Sequence, residues 1–197
     1  MNNIKTNLLG KSTVSRRKAA IEIRKKKLDG FAAELLEALK IEYNKNHNDT
    51  QTEIIKTLGF VGDKNSKLYI KENYINKGFF LADSCAAFLR LDGVISNFIK
   101  IIDEQNDSKS EGVLEVLGYD KIIPTLEEQD IIISKCWNLG LNRQKGLTDP
   151  RYGLAAACAG WKSKKTKSFL FHCLKSNDIP LIYVAENSLK GKHVRLR

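Results

Sequence analysis

"TEIIKTLGFVGD", residues 52–63, is the stretch on which the fold turns. Ile54, Ile55 and Leu58 fall on one side of a helix, at the spacing of an apolar stripe. Leu58-Gly59 then reads as a helix end, with Gly59 supplying a left-handed cap. Gly62-Asp63 reads as a restart in which Asp63 caps the following helix. Either this is one helix hairpin of an irregular bundle, or it is one copy of a unit that builds the chain.

The rest of the chain favours a recurring unit. Leu28-Asp29-Gly30, Leu58-Gly59, Leu91-Asp92-Gly93, Leu117-Gly118, Ala159-Gly160 and Leu189-Lys190-Gly191 all set a glycine after a helical run, at steps of 25 to 42 residues. That step is the length of a helix pair, and a pair buries its second face only by stacking on neighbours. Between the markers the apolar spacing is helical throughout. Ala19, Ala20, Ile23 and Leu28 follow Ser15 as the expected N-cap, and Phe31, Leu35 and Leu39 form a second stripe. Thr50 with Glu53 reads as a capping box. No segment sustains strand alternation, and "DIIISKCW" reads as helix because acidic residues precede it and Leu139-Gly140 follows. The loop "LNRQKGLTDP" leads to the last helices. Residues 1–12 are polar and expected to be a flexible tail, with a single repeat domain over 13–197.

Within this pattern, "IIKTLGFVGDKNSKLYI" resembles the short type of HEAT repeat: an A helix ending in Leu-Gly, a Gly-Asp turn, and a B helix of spaced apolar residues. Leu58, Gly59, Gly62 and Asp63 match that pattern position by position, while Leu91 to Val94 and Leu117 to Asp120 match it in part. The resemblance implies an all-α fold, a right-handed α-solenoid or superhelix of about five to six antiparallel helix pairs. It also implies a binding scaffold, and it brings no catalytic residues with it.

A chain of 197 residues, 42% hydrophobic and 28% charged, is that of a folded protein and excludes a disordered one. It holds no run of about 18 apolar residues and no signal-peptide core near its start, so a cytoplasmic location without membrane contact is expected. Cys85, Cys136, Cys158 and Cys173 stand apart among apolar neighbours and read as buried thiols. The net charge of +10 is uneven: residues 1–30 carry +7, residues 151–197 carry +8, and the middle carries −5.

Motifs for chemistry are absent. His47 lies in an Asn-rich loop and His193 in the tail, both read as solvated, and adjacent His172 and Cys173 diverge on a helix. The cysteines lack the close pairs of a zinc site, and Gly10-Lys11-Ser12 lacks the rest of a phosphate loop. Glu127, Glu128 and Asp130 read as helix N-terminal charge. No catalytic residue, metal or cofactor is expected.

Two classes of function remain. In the first, the chain is a non-enzymatic protein-binding module whose acidic middle meets a basic partner through Asp83, Asp92, Asp103, Glu104 and Trp161. Its specific form, by fold analogy, is an immunity or antitoxin protein that neutralises a toxic enzyme. In the second, the basic ends bind nucleic acid through Arg16, Arg17, Arg24, Lys25 and Lys26, and through Lys162, Lys164 and Lys165. Some HEAT-like proteins are DNA glycosylases acting on alkylated bases. That likeness would call on Trp137 and Trp161, but the motif around them is not matched.

Overall fold

The structure, a computed structural model, describes residues 2–103, 114, 117, 118, 120–137 and 151–194. Among these the chain is all-helical, with no strand. It divides into two compact units, Met1–Gly93 and Val94–Arg197, a division the expected single domain does not draw.

The first unit holds α1 (Asn2–Leu9), α2 (Thr13–Lys26), α3 (Ala32–Lys45), α4 (Asn48–Val61), α5 (Lys64–Ile70) and α6 (Leu81–Asp92), and α5 runs on into a π-helical turn over Lys71–Ile75. Residues 2–9 are therefore not the flexible tail expected from their polarity. Leu8 is fully buried where α1 packs on α2 and α3, and Lys5 pairs with Glu34. One buried leucine and one ion pair outweigh the polar composition of the rest.

The opening stretch lies in α4, which packs on α2, α3 and α6. Ile54, Ile55 and Leu58 are fully buried, as their spacing predicts. Gly59 is not the helix stop. It sits inside α4, where a Cβ would lie 2.8 Å from the Cα of Ala87 on α6, so its absent side chain permits the close approach. The helix instead ends at Gly62, whose φ of −72° is ordinary and whose Cβ would strike the carbonyl of Leu58. Asp63 caps α5 as expected, accepting from the Ser66 amide at 2.8 Å. Gly93, at φ +66°, is a true left-handed stop after α6.

Two cap assignments shift. Ser12, not Ser15, caps α2, because Ser12 Oγ accepts from the Ser15 amide. No capping box forms at Thr50, which is buried; α4 begins two residues earlier, behind His47.

The second unit contains α7 (Ile95–Asp103), α8 (Leu126–Cys136), α9 (Arg151–Ala157), α10 (Lys164–Cys173) and α11 (Ile179–Leu189). Helix α9 is short and apolar all round, and α10 and α11 pack on it. Gly118 approaches the Ala157 backbone so closely that a Cβ would sit 3.2 Å from its nitrogen. Thr125 and Glu128 form a capping box on α8, where Glu127 and Glu128 meet the helix dipole as expected. Buried Gln129 ties the turn before α10 to α8: it donates to Pro124 O at 2.7 Å and accepts from the Lys162 and Ser163 amides. All four cysteines are buried and outside any disulfide among the described residues. Burial pushes the Cys85 thiol up to about 12. Residues 138–150, with Gly140 and the "LNRQKGLTDP" loop, lie outside the described residues, as does Tyr119.

Candidate nucleic-acid interface

The crowd of cations on α2 resolves by helical angle. Arg16, Ala19, Ala20 and Ile23 share the buried face, while Val14, Lys18, Ile21 and Lys25 follow one another along the opposite side. Arg16 is only 1% exposed, and its Nε donates to Glu42 of α3, itself fully buried. It is a core residue and does not belong to a nucleic-acid surface. Arg24 is largely taken up as well, donating to Glu53 of α4 at 2.6 Å. Arg17 makes a loose surface pair with Asp49 at 3.4 Å, and Lys26 pairs with Glu22 one turn back. Lys18 and Lys25 remain exposed and outside any ion pair among the described residues.

The stripe borders an open cleft of about 650 Å³ between α2 and the turn into α4. Thr13, Arg17 and Lys18 form one wall, and Asn46, His47 and Asp49 the other. Beneath it runs a connected polar chain. Arg16 holds one oxygen of Glu42, and the other lies 2.7 Å from His47 Nδ1. Thr13 Oγ1 is 3.0 Å from that same nitrogen and accepts from Arg16 Nη2 at 3.3 Å, and Arg16 Nη1 donates to the Gly10 carbonyl. His47 is thus half-exposed but tethered, where the sequence reads a solvated loop residue. Deeper still, Gln51 donates to the Glu42 carbonyl and accepts from Tyr74 Oη at 2.8 Å. Burial holds the Tyr74 phenol well above its ordinary value.

In the second unit Lys162, Lys164 and Lys165 are exposed, as a binding role requires. Lys165 donates to Ser134 at 2.9 Å beside a shallow groove that Glu127 and Asp130 also line. Mixed charge there makes a weaker polyanion site than the α2 stripe.

Of the residues expected to meet a basic protein, Asp83 and Asp92 are held by lysines of their own unit. Asp92 is nearly buried, 2.8 Å from Lys67, and Asp83 is half-buried, 3.5 Å from Lys56. Loss of solvation raises the Asp83 carboxyl above its usual value despite that lysine. Trp161 is a core residue, 5% exposed, with its indole N–H bonded to the Ile122 carbonyl at 3.0 Å. The Asp103 side chain and all of Glu104 lie outside the described residues. Trp137 stacks on His172 and meets Phe169 edge-on.

Among the described residues no cluster of histidine, cysteine or carboxylate side chains is arranged to hold a metal ion, and no helix is long and apolar enough to cross a membrane. Comparison with protein families, curated proteins and solved structures finds no match to this chain.

Proposed function

We propose that this chain is a non-enzymatic helical-repeat scaffold that binds the phosphate backbone of a nucleic acid through the exposed face of α2. The carrying observation is how charge is distributed in the first unit. Eight of its eleven carboxylates are engaged in ion pairs, whereas Lys11, Lys18, Lys25 and Lys27 are exposed with no such pairing among the described residues. The charge left facing solvent along α2 is therefore positive, and clustered lysines gain affinity for nucleic acid by releasing its counterions.

The repeat reading finds support in the order of contacts. Alternate helices stack, α2 on α4 on α6, while α3 meets α1 and α5. That is the layering of successive antiparallel pairs in a HEAT-like solenoid. The right-handed superhelix of five to six pairs extends this reading to the rest of the chain. The protein-partner reading, with its immunity or antitoxin form, relied on free carboxylates in the acidic middle. Its described members are held within their own unit, so it draws no support from charge. A glycosylase-like role draws none from Trp161, which is buried.

The test is fluorescence anisotropy with a labelled duplex across a salt series. Affinity should fall steeply with salt, by a log–log slope of about 0.9 per phosphate contacted. Reversing Lys18 and Lys25 to glutamate should flatten that slope by about 2. Absence of binding at low salt, or a slope indifferent to both reversals, would refute the proposal. Reversal of Arg16 is no test, because it would leave Glu42 buried without its partner.

A further inference from the structure

We infer that the cleft between α2 and the start of α4 receives a phosphomonoester group, with His47, Lys18 and Arg17 as its contacts; the nucleic-acid reading enters only as the source of that phosphate. The Arg16–Glu42 pair is costly to bury. Both groups are stripped of water, and such a pair often stabilises a fold no better than apolar side chains would. Here it does something apolar residues could not. Glu42 gives one oxygen to Arg16 and keeps the other for His47, so the buried charge orients a half-exposed ring.

A carboxylate on Nδ1 sets the proton there, with Thr13 Oγ1 3.0 Å from the same nitrogen. Nε2 is left without a protein partner among the described residues, on a residue that lines the cleft. Lys18 is exposed on the facing wall, and the Arg17 guanidinium is held only by the loose contact to Asp49, whose side chain is 81% exposed. The amino end of α4 adds its partial positive charge. These groups suit a monoester better than a backbone diester. A monoester titrates near neutrality, with a second pKa of about 6, so it has a proton to share with an imidazole. A diester has none.

Two surface substitutions test this without touching the buried chain. Lys18→Ala removes a facing cation and should weaken binding about tenfold, the effect of one charge-assisted hydrogen bond. Asp49→Asn removes the competing carboxylate and should tighten binding a few-fold. The chain has three histidines, so ring resonances are readily assigned. Inorganic phosphate titrated into the full chain should move the His47 ring signals saturably and leave His172 and His193 in place. Oligonucleotides with a 5′-phosphate or a 5′-hydroxyl separate the sources: preference for the former assigns a nucleic-acid terminus, and equal binding with a saturable phosphate response assigns a small free phosphate. No saturable response at His47, or a response unaltered by both substitutions, overturns the inference. Duplex binding in that case leaves the backbone proposal standing, while a His47 response without duplex binding sinks that proposal and keeps the site.

Discussion

Gly59→Ala sets two physical effects against each other, and the structure decides the sign. On helix propensity alone, alanine in the interior of α4 should stabilise by about 1 kcal/mol. The new methyl, however, would sit 2.8 Å from Ala87 Cα and 3.1 Å from its Cβ. The nearer atom is backbone, so relief requires α6 to move away from α4 and loosen the apolar contacts along their seam. Overpacking of this kind costs about 1–3 kcal/mol, with rigid backbone at the upper end. The net expectation is a loss of about 2 kcal/mol, lowering a urea midpoint by about 1 M for an m-value typical of small proteins. Both tryptophans, Trp137 and Trp161, lie in the second unit. Circular dichroism, which reads the helices of the first unit directly, should therefore be the probe of the loss. Gly59→Val should be worse on both steric and propensity grounds. A midpoint that rises in Gly59→Ala would show that the glycine is a helix defect and that the α4–α6 approach does not depend on it.

Three further outcomes follow from the packing within the units. Glu42→Ala should cost about 3–5 kcal/mol by stranding Arg16, whereas replacing both by apolar residues of similar size should recover most of that loss in a urea titration. The Ser66 amide holds the Asp63 carboxyl below its usual range, so the cap's contribution is present at neutral pH and lost as pH falls through that lowered value. Asp63→Ala should accordingly cost about 1 kcal/mol at neutral pH and progressively less in acid, against an Asp63→Asn control that stays flat. With all four cysteines buried, the native chain should react with a thiol reagent only on unfolding, and rapid labelling of folded protein would contradict the burial of Cys85 and its raised thiol.

Most helices were legible from local signals, although the caps read at Ser15 and Thr50 fell elsewhere. Ile54, Ile55 and Leu58 announced their stripe, and Asp63 and Gly93 did what short-range turn chemistry predicts. The Leu-Gly mark at Gly59 was misread as a stop because the partner that demands the glycine, Ala87, is distant in sequence. Arg16 was grouped with its basic neighbours by adjacency, although position 16 continues the Ala19, Ala20 and Ile23 stripe. Glu42 continues the stripe of Leu35, Ala38 and Leu39 in the same way. A charged residue in phase with an apolar stripe must meet an opposite charge on the facing helix. That phase, applied to both, would have paired them. His47 carried no comparable signal, since its tether to Glu42, five residues back, depends on the left-handed turn at Asn46 that ends α3.

The bond from Arg16 to the Gly10 carbonyl has a reach beyond the cleft. It joins the end of α1 to the same chain that steadies His47, so the two are thermodynamically linked: whatever rigidifies the imidazole also opposes fraying of the first helix. Amide exchange along residues 2–9 then becomes a remote gauge of occupancy, slowing when the cleft is filled. Reciprocally, trimming those residues would slacken the ring without removing a single atom that lines the cleft.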